Sequence, residues 1–168
     1  NVLVWGFGSI GRTLAPLLAA LGAKVKGVAR TGGPRDGFPV VTARALPKEL
    51  PKTDVLVGIL PGAADTTGAI GADVFAALPE RALVVNVGRG VTLDQKALAD
   101  ALRSRSIAGA ALDVATPEPL PADDPLWEAP RLIVTPHAAG GRPLGANERI
   151  AHNLAALDGG APFLHRAR

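Results

Sequence analysis

The chain has 168 residues, 48% hydrophobic and 20% charged, with 18 basic against 15 acidic side chains for a net charge of +3. That length suits one domain with a sizeable core, and the composition is that of a globular protein, not a disordered one. The lack of cysteine excludes disulfides and thiolate metal sites, three scattered histidines (His137, His152, His165) suggest no metal cluster, and sparse aromatics with no basic run argue against nucleic acid.

No apolar run reaches the roughly 18 residues of a membrane span. No signal peptide is visible, so a cytoplasmic location is expected. The first predicted strand, Val2–Trp5, opens the chain and leads into VWGFGSIGR (4–12). Gly6, Gly8 and Gly11 make G-x-G-x-x-G between a strand and a helix predicted over Ile10–Leu21. This is the setting a dinucleotide-binding loop requires. Gly6 permits the tight turn, Gly8 lets a pyrophosphate approach the backbone, and Gly11 lets helix and strand pack closely. Amides around Ser9 and Ile10 would face the phosphates. Pro16 lies inside this helix and should kink or shorten it.

The second predicted strand, Lys24–Ala29, runs into ARTGG. A site for NAD usually carries Asp or Glu here, to bond the ribose hydroxyls. This chain has Ala29, followed by Arg30 and Thr31. Losing the carboxylate removes repulsion of a 2′-phosphate, and a guanidinium fork can bind one. The chemistry favours NADP(H), with NAD(H) possible. Arg30 could equally be a solvated loop residue, and Arg35 and Arg12 are further candidates for phosphate contact.

Beyond it come a short strand at Pro39–Thr42, a helix at Ala43–Leu50, a strand at Asp54–Leu60 and a helix at Asp65–Leu78. Then follow strand Ala82–Val87, helix Leu93–Ser104, strand Ala108–Asp113, strand Leu132–Thr135 and helix Pro143–Ala156. TLDQ (92–95) reads as a helix start with Thr92 as N-cap and Gln95 at the third helical position. Thr116–Pro130, with five prolines, reads as an ordered extended loop. Near-continuous apolar strands alternating with helices predict a doubly wound parallel α/β sheet of the Rossmann type, covered on both faces.

NVGRGVTLDQKAL (86–98), ALDVATPEPLP (111–121) and LIVTPHAAGG (132–141) then occur in order, each at or just after a predicted strand. Together with LPGAADTTGAI (60–70), they resemble the nucleotide-binding domain of the D-isomer-specific 2-hydroxyacid dehydrogenases, in particular the glyoxylate/hydroxypyruvate reductase branch. The resemblance spans almost the whole chain and implies a catalytic set: Arg89 from N-x-x-R-G, Glu118 from D-V-x-x-x-E-P and His137 from T-P-H. The chemistry suits them. Reduction of a 2-keto acid builds charge on the carbonyl oxygen, which a histidine can protonate. A carboxylate beside it favours the imidazolium and fixes its tautomer, while an arginine can hold the substrate carboxylate and carbonyl.

The resemblance further implies that Asp113 lies by the nicotinamide amide. Backbone of Val87, Gly88 and His137 through Gly140 would line that end, and Pro61 would pack near the ribose and pyrophosphate. Each residue also has a structural alternative: Asp113 capping a turn, Arg89 shaping one, Glu118 solvated and His137 ending a strand. His152 and His165 read as surface residues.

In the family a substrate domain precedes this one and a last segment returns to it. The reading is therefore a cofactor domain over residues 1–157 and a returning tail over 158–168, excised from a larger enzyme or descended from one. Such a chain should bind NADP(H) and turn over very slowly or not at all. The implied partners are a small 2-keto or 2-hydroxy acid, the missing substrate domain and possibly a second copy in a homodimer. Two other functions stay open: a dinucleotide-sensing interaction module of the corepressor type, and a Rossmann reductase with a catalytic lysine. Against the latter, no lysine stands at a strand end with cleft neighbours.

Overall fold

The structure, a computed structural model, describes residues 1–140, 145–159 and 162. His165, Pro143 at the expected start of the last helix, and the tail beyond Gly159 apart from Pro162 lie outside these. Among the described residues seven strands occur: β1 Val2–Trp5, β2 Val25–Val28, β3 Val40–Val41, β4 Val55–Gly58, β5 Leu83–Asn86, β6 Gly109–Leu112 and β7 Leu132–Val134. All pair in parallel, in the order β3-β2-β1-β4-β5-β6-β7. The expected doubly wound sheet is present. The chain lays down β1 to β3 in one direction, then returns to place β4 against β1. That reversal is where ligands enter such sheets, at the carboxyl ends of the strands.

Side chains of a strand alternate between faces, and β1 shows why its sequence is nevertheless unbroken in hydrophobicity. Leu3 and Trp5 join one buried cluster with Leu56, Ile70, Phe75, Leu98, Leu102 and Leu112. Val2 and Val4 join the other with Phe7, Ala15, Val25 and Val57. The first cluster lies under α2 Leu46–Glu49, α3 Ala72–Ala77 and α4 Gln95–Ser104, the second under α1 Ser9–Ala20. The second face thins out across the sheet. Along the paired row Val57, Val85, Ala111, Ile133, burial falls from a core valine to an isoleucine 64% exposed.

Three local expectations are corrected. The helix expected at Asp65–Leu78 shrinks to α3. Gly68 adopts a positive φ, the Thr66 and Thr67 hydroxyls bond the Ala63 carbonyl, and Ile70 bridges to Leu93. Threonine hydroxyls competing for backbone groups explain why this stretch turns and does not wind. Pro16 does not shorten α1, which runs through it. It sits on the exposed side, so the Arg12 carbonyl that loses its partner faces water. Finally, Asp94, not Thr92, caps α4, its carboxylate accepting the Ala97 N–H at 2.9 Å. Gln95 is thus the first helical residue.

The chain divides into two compact units, residues 1–137 and 138–168. In the second, helix α5 spans Ala146–Gly159 and His152 is exposed, its ring nitrogen 3.2 Å from the Pro162 carbonyl. Among the described residues no helix is long and apolar enough to cross a membrane.

Candidate active site

The glycine loop joins β1 to α1. Gly6 has φ +108°, and a Cβ on it would lie 2.3 Å from the Ile59 carbonyl oxygen at the end of β4, so only glycine fits. Gly11 packs as expected: its Cβ would meet the Gly6 carbonyl and Val4. Gly8 is different, with nothing within 4 Å of where its Cβ would stand. As N-cap of α1 it offers no side chain, and the amides of Ser9, Ile10 and Gly11 have no acceptor among the described residues. Open space above unspent helix-start donors fits a dinucleotide pyrophosphate.

At the end of β2, Ala29 is bonded into the sheet through Val41. Arg30 is exposed and makes no hydrogen bond or ion pair among the described residues. The other two arginines are engaged. Arg35 donates to the Phe7 carbonyl at 2.9 Å and to the Thr31 carbonyl and hydroxyl at 2.8 Å. Arg12 forms a two-pronged pair with Asp36 and holds that carboxyl below its usual range. The loop after β2 is therefore clipped onto the glycine loop, with Arg30 as its unspent cation.

At the ends of β5, β6 and β7 the structure brings the other candidates together. Asn86, fully buried at the end of β5, accepts the Gly88 N–H through Oδ1 at 3.1 Å and donates from Nδ2 to the Arg89 carbonyl at 3.3 Å. The buried Thr92 hydroxyl donates to the same carbonyl at 2.7 Å. This turn presents Arg89, whose Nη1 donates to the Gly88 carbonyl at 2.7 Å while the side chain reaches solvent. Asn86 and Thr92 are the positioning residues that motif reading overlooked as such. Their signal was polar groups in an otherwise apolar strand and turn.

The loop after β6 carries Glu118, between cis peptide bonds at Thr116–Pro117 and Glu118–Pro119. Its Oε1 accepts the Ala115 N–H at 2.8 Å, and its Oε2 lies 2.7 Å from His137 Nδ1. The His137 contact, then the Ala115 amide, hold the Glu118 carboxyl below its ordinary range, and the nearby Arg89 charge adds to this. His137 has φ +52°, and its N–H closes a turn to the Thr135 carbonyl at 3.0 Å. The pair is accessible, with the two side chains 46% and 38% exposed. An open cleft of about 290 Å³ runs beside it, lined by Gly62, Arg89, Val91, Ala115, Thr116 and Glu118 among others.

Of the remaining candidates, Asp113 is buried, and its Oδ1 accepts the Thr135 hydroxyl at 2.5 Å, tying β6 to the turn before His137. Pro61 is exposed, and its carbonyl accepts the Thr66 hydroxyl at 2.6 Å. The amides of Val87 and Gly88 are spent on Gly58 and Asn86. Gly140 belongs to the second unit. Among the described residues no group of three or more His, Cys, Asp or Glu could hold a metal.

This geometry has known relatives. Residues 1–139 match the D-isomer specific 2-hydroxyacid dehydrogenase, NAD binding domain model. The chain belongs to that family. Glyoxylate/hydroxypyruvate reductase A of Klebsiella pneumoniae is 37% identical over 167 residues, 96% of this chain and 53% of that protein. The D-isomer specific 2-hydroxyacid dehydrogenase of Xanthobacter autotrophicus Py2, solved with NADPH and MES, superposes with TM-score 0.92 at 38% identity, covering 99% of this chain and 70% of that one. The NADPH-dependent glyoxylate/hydroxypyruvate reductase of Sinorhizobium meliloti, solved with NADP and sulfate, gives 0.90 at 34%, covering 98% and 54%. This 2-hydroxyacid dehydrogenase domain spans about half the length of the curated relatives it matches.

Proposed function

We propose that the chain is the cofactor-binding and proton-transfer half of a cytoplasmic, NADPH-preferring 2-hydroxyacid dehydrogenase acting on a small 2-keto acid such as glyoxylate or hydroxypyruvate. The observation that carries this reading is the Glu118–His137 pair, 2.7 Å apart near Arg89, on a sheet whose first turn is a dinucleotide loop. On this reading residues 1–157 form the cofactor domain, and 158–168 correspond to the segment that in the family returns to a substrate domain.

A bound nicotinamide supplies or accepts the hydride. The chain's own residues do the rest. Arg89 spends one N–H on Gly88 and keeps further donors of its planar fork for the substrate carboxylate and carbonyl oxygens. With Nδ1 tied to ionised Glu118, His137 presents Nε2 as proton donor to the carbonyl oxygen on reduction, and as acceptor from the hydroxyl on oxidation. Glu118 fixes the ring's orientation and offsets the imidazolium charge. At the other end, the amides from Ser9 to Gly11 would hold the pyrophosphate and Arg30 would take the 2′-phosphate, with the Thr31 hydroxyl, whose oxygen accepts from Arg35, keeping its proton to donate. The bound NADPH and NADP of the Xanthobacter and Sinorhizobium proteins support that choice.

The test joins this domain to the remaining part of a relative such as the Klebsiella reductase, and follows NADPH oxidation with glyoxylate and hydroxypyruvate. Turnover is expected in the chimera, reduced by about 100-fold or more in His137→Ala, and very slow or absent in the domain alone. Undiminished turnover in His137→Ala overturns the proton-transfer role. Robust turnover by the domain alone overturns the need for a substrate domain.

A further inference from the structure

The loop that carries Glu118 begins with two consecutive amides, and each is spent on a side chain. The Ala115 N–H goes to Glu118 itself. The Thr116 N–H goes to Gln95 Oε1 at 2.5 Å, 21 residues away on the first turn of α4. Gln95 is half-buried and follows Asp94, whose cap fixes the start of that helix. The same β5–α4 segment carries Arg89 and Gly90. Gly90 lies so close under the loop that a Cβ on it would stand 1.9 Å from the Ala115 carbonyl oxygen and 2.5 Å from the Thr116 hydroxyl. One short stretch, residues 86–95, therefore presents Arg89 and also grips the backbone from which Glu118 reaches His137.

We propose that Gln95 is a positioning residue: its carboxamide oxygen, by holding the Thr116 amide, sets the Glu118 carboxylate against His137 and in register with Arg89. This deepens the function proposed above and rests on its reading of the Glu118–His137 pair. Without Gln95, Thr116 has only water to bond, and the Ala115 amide next to it is free to swing away from Glu118. The carboxylate then loses the fixed donor that, with His137, keeps it ionised and oriented. A neutral amide suits the position. It accepts the Thr116 N–H as a carboxylate would, yet adds no second negative charge beside Glu118.

The experiment is a side-chain carboxyl titration by NMR on the whole chain, comparing wild type with Gln95→Ala, Gln95→Glu and His137→Ala. Asp36 and Asp54 serve as internal references, since partners away from Gln95 and this loop hold their carboxyls low: Arg12 for the one, the N-terminal amine and Arg81 for the other. In Gln95→Ala the Glu118 midpoint should rise toward the ordinary glutamate value while the two references stay in place. Gln95→Glu should keep the hydrogen-bonded shift of the Thr116 amide and the Nδ1-tied tautomer of His137, even though its charge raises the Glu118 midpoint. An unmoved Glu118 midpoint in Gln95→Ala overturns the proposal, as does a rise of all three carboxyls together, which marks general loosening. Loss of the His137 tautomer signature in Gln95→Glu overturns it too, and decides the matter should Gln95→Ala not fold. His137→Ala separates the two readings. If it leaves Glu118 unmoved, the pair itself fails; if it shifts Glu118 and Gln95→Ala does not, only Gln95 fails.

Discussion

At the glycine-loop end, the groups that would meet a ligand are unspent: three helix-start amides without acceptors, empty space above Gly8, and Arg30 without a partner among the described residues. At the strand-end triad the opposite holds, because Glu118 already has both oxygens engaged and His137 is already tied through Nδ1. On the proposed function, the difference follows from what each end would do. A binding group that bonds its own protein must break that bond before it can bind, whereas a proton-transfer group works best when its orientation is fixed beforehand. The scaffold under both is packed and hydrogen-bonded, so the unspent groups are still held in place. Arg35 and the Arg12–Asp36 pair clip the loop that bears Arg30, leaving only its guanidinium uncommitted.

Removing the scaffold should have the largest effect at either end. Gly6→Ala drives a Cβ into the Ile59 carbonyl from a positive φ, and Gly90→Ala drives one into the Ala115 carbonyl. Each is expected to cost about 3 kcal/mol or more, read as a lower urea midpoint, with Gly90→Ala also releasing the Glu118–His137 contact. Next comes Asn86→Ala, which leaves the buried Gly88 N–H without its acceptor. A loss of about 1–3 kcal/mol is expected, with the Arg89 turn disturbed and NADPH affinity barely changed. Equal damage at both ends would dissolve the contrast between them.

Arg30→Ala should leave folding intact and weaken NADPH by about tenfold to a hundredfold, as loss of a charged hydrogen bond predicts, with NADH unaffected. Calorimetric Kd values for the two cofactors check it. The smallest effect lies in the acid limb of stability. Because the Glu118 carboxyl is lowered in the folded chain, its contribution is complete above the ordinary glutamate range and is lost as pH falls through the lowered value. In His137→Ala that loss should be smaller and complete at a higher pH. Acid denaturation curves of the two proteins would coincide if the pair contributes nothing.

Much of this was legible in the sequence for identifiable reasons. Every strand was foreseen within a residue or two because each is a short, mostly apolar run, and the glycine loop because Gly6 and Gly11 answer to backbone clashes. Arg89, Glu118 and His137 were found by family resemblance, and the structure brings Glu118 and His137 into contact. What escaped reading was long-range. Thr66 and Thr67 hint locally that residues 65–71 turn, but nothing local tells that Ile70 will bridge to Leu93. Nor does it tell that the Gln95 side chain will reach across to Thr116 and not close its own cap. Asn86 was quoted as the first letter of a motif, but its work in holding Arg89 needs the turn in three dimensions.

On the proposed function, this domain holds NADPH through an uncommitted Arg30, where NAD sites carry an acid that bonds the ribose. The most direct measurement is a parallel calorimetric titration of the chain with NADPH and NADH, repeated on Arg30→Ala, with fluorescence of the buried Trp5 beside Gly6 as a second readout. Tight NADPH binding, weak NADH binding and loss of the preference in Arg30→Ala are expected. Equal affinity for the two cofactors in the wild-type chain would contradict the account.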